Sequence, residues 1–178
     1  NHSMTLIAFG INHKTAPIEL REKIAFSPDA IVQALASLRQ ETGAIESVIL
    51  STCNRTEVYA QLDDGQINNI GSWLANFHGV QQNELQNNSY LYTQQEAVNH
   101  IMRVASGLDS LMLGEPQILG QVKQAYTDAK NSGVIKGGFE RLFQHTFSVA
   151  KRVRSETDIG ANAVSVAYAS VQLAKHIF

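Results

Sequence analysis

The sequence predicts an α+β fold, in which a ferredoxin-like βαββαβ antiparallel sheet carries an appended helical bundle and the start of a long C-terminal linker helix. Two observations support this prediction. In the first half of the chain, short apolar or alternating segments and helical segments follow each other in the order β-α-β-β-α-β, which is the ferredoxin-like order. From about Gln94 onward, every periodic segment has the apolar spacing of a helix. We therefore expect four antiparallel strands, two helices on one face of the sheet, and further helices packed against this domain.

Four strands and two helices account for the first half of the chain. The predicted strands are residues 5–11, 47–50, 57–62 and 89–93. A helix at 30–38 follows the Ser27-Pro28-Asp29 start, and a second helix runs from Ile67 to Phe77 before Gly79. The turn that contains Cys53 should connect the second and third strands.

Four longer helices are predicted in the second half. Their approximate ranges are 94–107, 116–132, 139–156 and 162–178, with breaks at Gly114-Glu115-Pro116, at Gly133 with Gly137-Gly138, and at Gly160. The last helix has no C-cap glycine, which is typical of a helix that is cut or that pairs with another chain; we favour the cut. The predicted division is an expression remnant at 1–3, one domain at 4–160 and the start of a connecting helix at 161–178.

Composition and charge exclude several classes of protein. The 178 residues are 44% hydrophobic and 17% charged, which is typical of a globular chain with one buried core. A net charge of −2 argues against indiscriminate binding to nucleic acid or membrane, yet it permits one basic patch. The single cysteine excludes an internal disulfide, and the sequence shows neither a signal peptide nor a run of about 18 apolar residues. A cytoplasmic protein without a membrane partner is expected.

The lone cysteine, Cys53, is the best candidate for covalent chemistry. It separates an apolar strand from the polar residues Asn54 and Arg55, so its thiol should lie at a strand end. A thiol reacts as thiolate, and the Arg55 guanidinium could either favour the thiolate or clamp a substrate carboxylate. The alternative is a small buried hydrophobe, the usual role of a lone cysteine, but the polar context favours reactivity. Without a Gly-x-Ser-x-Gly elbow or a His-Glu-x-x-His helix, neither a serine nucleophile nor a metal site is predicted.

Two further segments carry polar candidates. His100 lies at the edge of the apolar stripe of its helix, where it is either a hydrogen-bonded filler or an imidazole that holds or moves a proton near the thiol. The segment 107–123 contains Ser110, Glu115, Gln117 and Gln121. This segment is either an ordinary helix connection, with Pro116 and Glu115 at a helix start, or a set of hydrogen-bonding groups for a small polar substrate.

The helix predicted at 139–156 has a basic face. That face holds Arg141, His145, Ser148 and Arg152, followed by Arg154, whereas Phe139, Leu142, Phe143, Val149 and Val153 form the apolar face. Such a face either contacts phosphate groups or is simply solvated near a helix C-terminus.

Three motifs together resemble the glutamyl-tRNA reductase family. They are Gly10-Ile-Asn-His-Lys-Thr-Ala-Pro17, Leu50-Ser-Thr-Cys-Asn-Arg-Thr-Glu-Val-Tyr59 and Ser106-Gly-Leu-Asp-Ser-Leu-Met-Leu-Gly-Glu-Pro-Gln-Ile-Leu-Gly-Gln-Val-Lys123. The resemblance is continuous from Met4 to Phe178. It implies an NADPH-dependent oxidoreductase that makes glutamate-1-semialdehyde from glutamyl-tRNA, the first step of tetrapyrrole (porphyrin) biosynthesis by the five-carbon route.

The resemblance also implies residue roles. Cys53 would be the nucleophile that forms a thioester intermediate, and His100 would be an imidazole that supports activity. Contacts with the substrate are implied for Thr52, Asn54, Arg55, Ser110, Glu115, Pro116, Gln117 and Gln121. By this resemblance the full-length enzyme is a homodimer, and glutamate-1-semialdehyde aminomutase is a candidate partner.

The family continues with an NADPH-binding domain and a dimerisation domain, and this sequence has no Gly-x-Gly-x-x-Gly fingerprint. NADPH is therefore expected only in the full-length enzyme, and the fragment alone is expected to be at most a glutamyl-tRNA esterase. The alternative is a non-catalytic RNA-binding module, for which Cys53 would be dispensable and Arg141, Arg152 and Arg154 would not.

Overall fold

The computed structural model describes residues 3–109, 117–155 and 159–177, without the side chains of residues 159–161. Within these ranges the chain forms four β-strands and eight α-helices. The strands are β1 (Met4–Asn12), β2 (Glu46–Ser51), β3 (Arg55–Asp63) and β4 (Tyr90–Thr93). The helices are α1 (Ile18–Ile24), α2 (Ile31–Thr42), α3 (Asn69–His78), α4 (Gln82–Asn87), α5 (Gln95–Ala105), α6 (Ile118–Asn131), α7 (Gly137–Arg154) and α8 (Ile159–Ile177).

The four strands form one sheet in the order β2-β3-β1-β4, and all three pairings are antiparallel. This confirms the predicted four-stranded antiparallel sheet. β1 and β3 pair along their whole length, from Met4 opposite Asp63 to Asn12 opposite Arg55. Because of this register, the loop that follows β1 and the turn that precedes β3 lie at the same end of the sheet.

Helices cover both faces of the sheet. Nearly every residue of β1, β2 and β3 is buried, which requires cover on both sides because neighbouring side chains point to opposite faces. Phe9 of β1 points toward Gly71 of α3 on one face. On the other face, the ring of Tyr59 of β3 lies 6.2 Å from that of Phe143 of α7. The site described below lies on this second face.

Two helices begin two or three residues before their predicted starts at 139 and 162. Gly137 and Gly138 are the first residues of α7, because the buried carboxylate of Glu46 on β2 accepts the N–H groups of Lys136 at 2.6 Å and Phe139 at 3.0 Å. This side chain satisfies backbone donors that a helix start leaves free, so the helix begins there despite two glycines. Gly160 likewise lies inside α8.

Two short helices have no counterpart in the prediction. α1 has seven residues and α4 has six, so each has too few turns for a clear apolar period. In α1, Leu20 and Ile24 are buried one turn apart, and packing stabilises the helix rather than intrinsic propensity. The predicted break at Gly133 is confirmed, since this residue follows α6 with a left-handed φ of 75°.

The last helix packs onto the rest of the domain. α8 lies against α5 and α7, with Val166 and Leu173 in the apolar core, and Asn162 Nδ2 donates to the Val153 carbonyl at 3.2 Å. The predicted boundary at residue 160 stays a prediction. No helix within the described ranges is long and apolar enough to cross a membrane.

Candidate active site

Cys53 lies at the turn between β2 and β3, and its side chain is exposed. Thr52 Oγ1 accepts the N–H groups of Asn54 at 3.1 Å and Arg55 at 3.2 Å, and the Thr52 N–H donates to the Arg55 carbonyl at 2.8 Å. These bonds close the turn without the thiol. The exposure of Cys53 rules out the buried-hydrophobe alternative.

Glu57 is the centre of a buried polar network on the same strand. Its side chain is 0% exposed, and Oε2 lies 3.1 Å from Arg55 Nη1 and 2.6 Å from His100 Nε2. The hydroxyl groups of Tyr59 and Tyr90 also donate to this carboxylate. A buried carboxylate is tolerated only with such partners, and Glu57 has four of them.

The charges of this network keep Glu57 ionised. Burial alone would raise the pKa of Glu57, but the charge and hydrogen bond of His100, the charge of Arg55 and the Tyr59 hydrogen bond lower it to about 2. Burial raises the pKa values of Tyr59 and Tyr90, and the negative charge of Glu57 raises them further. Both hydroxyl groups therefore remain protonated donors at neutral pH.

Arg55 points into this network. Its side chain is 2% exposed, Nη1 also lies 3.2 Å from Asp109 Oδ2, and Nη2 donates to the Asp109 carbonyl at 2.8 Å. Burial alone would lower the Arg55 pKa, but the neighbouring charges, Glu57 first, raise it above its ordinary value. The guanidinium thus connects β3 to Asp109, which follows α5 in the chain, while Cys53 of the turn is exposed.

His100 is buried against the sheet as a hydrogen-bonded group. Besides its bond to Glu57, its ring stacks on Tyr92 with 4.7 Å between centroids and lies 5.4 Å from the ring of Tyr90. Of the two interpretations of this histidine, the geometry favours the hydrogen-bonded filler, because Nε2 is already bonded to Glu57.

Two of the remaining predicted substrate contacts, Gln117 and Gln121, lie within the described residues. Gln117 is exposed at the start of α6, and its carbonyl accepts the Gln121 N–H at 3.0 Å. Gln121 Oε1 is buried without a hydrogen-bond partner among the described residues. Ser110, Glu115 and Pro116 lie outside the described residues.

The basic face of α7 is separate from this network. Arg141 and Arg152 are exposed and Arg154 is half-buried, and the five predicted apolar residues of the helix are all buried. Arg152 lies eleven positions after Arg141, which corresponds to about 16 Å along the helix axis. The arginines therefore form an extended stripe rather than one convergent site.

Sequence reasoning missed Glu57, Tyr59, Tyr90 and Asp109 as members of the site. One signal was available, since Arg55, Glu57 and Tyr59 alternate along a strand and must share one face. Asp109 lies 54 residues from Arg55, and no local pattern connects them.

The described residues do not fit a dinucleotide or a resident metal. Their sheet is entirely antiparallel, whereas a dinucleotide's pyrophosphate is typically held at a glycine-rich turn of a parallel βαβ unit. Within the same ranges, no group of three or more His, Cys, Asp or Glu side chains is arranged to hold a metal ion.

Comparisons with known proteins identify the family of this chain. The family model "Glutamyl-tRNAGlu reductase, N-terminal domain" matches residues 9–157. The glutamyl-tRNA reductase of Pseudoalteromonas atlantica is 73% identical over 175 residues, covering 98% of this chain and 41% of that protein. That of Pseudoalteromonas translucida is 60% identical, with 98% and 42% covered.

A solved structure is also similar. Glutamyl-tRNA reductase from Methanopyrus kandleri matches with a TM-score of 0.73 and 35% identity, over 85% of this chain and 35% of that one. The chain spans about two fifths of the length of the curated relatives it matches. By the match of its sequence and its fold, it belongs to the family of glutamyl-tRNA reductase N-terminal domains.

Proposed function

We propose that this chain is the catalytic domain of a glutamyl-tRNA reductase and that Cys53 is its nucleophile. The main support for this proposal is the exposed thiol of Cys53. Its turn is joined through Arg55 to a buried network in which Glu57 binds Arg55 and His100. The Cys53 thiolate attacks the aminoacyl ester carbonyl, so a sulfur–carbon bond forms and the ester carbon–oxygen bond breaks. The tRNA leaves as its ribose alcohol after gaining a proton, and a glutamyl thioester remains on Cys53.

The relatives are named reductases, and the family resemblance implies that NADPH would then reduce the thioester to glutamate-1-semialdehyde. We place the binding site of this cofactor outside the described residues, since these do not fit it. Without a hydride donor, water can hydrolyse the thioester to glutamate and free thiol. The chain alone would then act as a glutamyl-tRNA esterase.

The other residues receive supporting roles in this proposal. Thr52, Asn54 and Arg55 shape and anchor the turn that presents the thiol, and His100 is a positioning residue that acts through Glu57. The strand order β2-β3-β1-β4 supports a ferredoxin-like assignment for the sheet. Ser110, Glu115, Pro116, Gln117 and Gln121 remain proposed substrate contacts, and the cytoplasm, the homodimer and the aminomutase remain expectations for the whole enzyme.

The decisive experiment uses glutamyl-tRNA without a nicotinamide. After acid quenching, intact and peptide mass spectrometry should find a glutamyl adduct on Cys53, or free glutamate should be released in a Cys53-dependent manner. Cys53→Ser is a suitable control because the thiol makes none of the hydrogen bonds that close the turn. Equal glutamate release by the unmodified chain and by Cys53→Ser would refute the thioester mechanism.

The basic stripe on α7 is proposed to contact the tRNA backbone. Its exposed residues Arg141 and Arg152 suit an extended phosphate chain better than a compact ligand. In the double variant Arg141→Gln/Arg152→Gln, tRNA affinity should fall and the salt dependence should weaken by about 0.9 in log–log slope for each lost contact. Arg39→Gln, an exposed arginine on α2, is the matched control. Unchanged affinity in the double variant would exclude this surface.

The binding-module alternative makes the opposite prediction for the cysteine. A module without chemistry would bind glutamyl-tRNA and leave Cys53 unmodified, and the stripe variants would still weaken binding. The adduct measurement and the affinity measurement together therefore separate the two functions.

A further inference from the structure

Asp109 occupies the end of the Arg55 guanidinium where a carboxylate ligand would bind. Arg55 Nη1 lies 3.2 Å from Asp109 Oδ2, and Nη2 donates to the Asp109 carbonyl at 2.8 Å. One oxygen thus faces each terminal nitrogen, which is the two-point arrangement that a single carboxylate forms with arginine. Asp109 therefore presents its side chain and its backbone to Arg55 in the way that a ligand carboxylate presents its two oxygens.

The side chains of Arg55, Asp109 and Lys14 lie in this order from the interior to the surface. They are 2%, 14% and 58% exposed, respectively. Asp109 contacts both cations, because its other carboxylate oxygen, Oδ1, lies 3.6 Å from Lys14 Nζ. Glu57, the second acid partner of Arg55, is 0% exposed. Of the two acids, Asp109 is thus the one that can leave the guanidinium toward the surface and still keep a cation beside it.

Arg55 has no room for a third carboxylate while Asp109 is in place. Nη1 is already shared between Glu57 Oε2 at 3.1 Å and Asp109 Oδ2 at 3.2 Å. Glu57 is ionised at neutral pH, since its pKa is lowered to about 2. A third carboxylate on the same buried guanidinium would be repelled by the first two. An anionic ligand can therefore bind Arg55 only by replacing Asp109.

We propose that Asp109 is an internal competitor of the substrate: it holds the carboxylate position on Arg55 in the free chain, and the side-chain carboxylate of the glutamyl group replaces it. This inference rests on the proposed function, which supplies a glutamyl substrate at the turn that contains both Cys53 and Arg55. The exchange puts one carboxylate in the place of another, and the released Asp109 stays beside Lys14. A ligand without a carboxylate leaves the pair of Arg55 and Asp109 closed.

The exchange is tested by titrating the chain with glutarate, a dicarboxylate that resembles the glutamyl side chain, in a nuclear magnetic resonance experiment. Asp109→Asn removes the charge of the competitor but keeps its backbone carbonyl. The dissociation constant of glutarate should therefore fall about tenfold, the usual effect of one charge-assisted hydrogen bond. Asp29→Asn, the same change at an exposed position, should leave it unaltered. An equal or higher constant for Asp109→Asn, or no saturable binding to either protein, would overturn the proposal.

Lys14→Gln separates this exchange from simple attraction of the ligand. Lys14 stabilises the released Asp109, so its loss should raise the glutarate dissociation constant about two- to fivefold in the unmodified chain. In the Asp109→Asn background the same change should have no effect, because no carboxylate is released. An equal rise in both backgrounds would show that Lys14 attracts glutarate directly and would contradict the exchange. Lys14 is exposed, so Lys14→Gln by itself still tests the proposal if Asp109→Asn does not fold.

Adduct formation on Cys53 gives a second measurement with the natural substrate. In Asp109→Asn, the glutamyl-tRNA concentration for half-maximal adduct formation should fall, whereas the maximal rate should stay the same, because Asp109 competes only with the bound side chain. A lower maximal rate at an unchanged half-maximal concentration would mean that Asp109 positions the site and does not compete. If the unmodified chain forms no adduct, the proposed function fails, whereas the glutarate titrations still decide the exchange.

Discussion

The Cys53 turn and the Glu57 network lie on one hairpin, yet they are held in opposite ways. The turn is exposed and is closed by neutral hydrogen bonds from Thr52. The network is buried, and its centre is a carboxylate with two tyrosine hydroxyls, a guanidinium and an imidazole around it. Arg55 belongs to both regions, since its backbone closes the turn and its side chain enters the network. An exposed thiol and a buried charge network are thus separated by only a few residues of chain.

This separation has a physical reason. A nucleophile for a macromolecular ester must be reachable, whereas charged positioning groups are most rigid where water is excluded and every donor is matched. A strand satisfies both needs, because its end carries the exposed turn while its inward-facing residues extend into the core.

The largest expected effect comes from Glu57→Gln. The amide removes the negative charge that four donors share and leaves buried Arg55 with Asp109 as its remaining acid partner. Loss of one partner of a buried pair costs about 3–5 kcal/mol, so the free energy of unfolding should fall by about that amount in a denaturant titration. Cys53→Ser, on the exposed turn, should change it by less than about 0.5 kcal/mol. Similar values for both variants would show that the two regions do not differ as described.

The pH dependence of stability sharpens the same contrast. Folding lowers the pKa of Glu57 from its ordinary value of 4.5 to about 2, so the folded state favours the ionised form. The resulting stabilisation is fully present above about pH 4.5 and is lost as the pH falls toward 2. Stability measured across this window should decline less steeply for Glu57→Gln than for the unmodified chain. Parallel curves would mean that Glu57 is not the titrating group.

Glu46 is a second buried carboxylate, and it binds the backbone N–H groups at the start of α7 instead of charged side chains. A Cβ at Gly138 would lie 2.9 Å from Glu46 Oε2, whereas a Cβ at Gly137 would meet only Arg141 Nη1 at 3.7 Å. Gly138→Ala should therefore cost about 1–3 kcal/mol by overpacking. Gly137→Ala should be neutral or stabilise by up to about 1 kcal/mol, because alanine favours a helix. Thermal unfolding of both variants decides this, and equal melting temperatures would refute it.

The smallest effect is expected for Thr52→Val on the exposed turn. Valine keeps the branched shape but removes the Oγ1 acceptor of two backbone N–H groups, which should cost about 1 kcal/mol. Thr52→Ser retains the hydroxyl and should lose less. Chemical denaturation compares the two, and a valine variant as stable as the serine variant would show that the hydroxyl does not hold the turn.

Local patterns were sufficient for much of the fold. The four strands and the four long helices have clear periods, and each lies within a few residues of its predicted range. The start of α7 lies two residues before its predicted position, because it depends on Glu46, which is 90 residues from Lys136 in sequence. α1 and α4 were missed because helices of six or seven residues carry little periodic information.

The candidate site, too, was only partly predictable from the sequence. Residue identity and short spacing were enough to predict the lone thiol, its place at a turn between two strands, and the basic face of α7. The pairing of Arg55 with Glu57 and Asp109 and the bond of His100 to Glu57 became visible only in the tertiary structure. The reason is that alternation along a strand sets the face on which a side chain lies, whereas its partners come from distant segments that pairing and packing bring to that face.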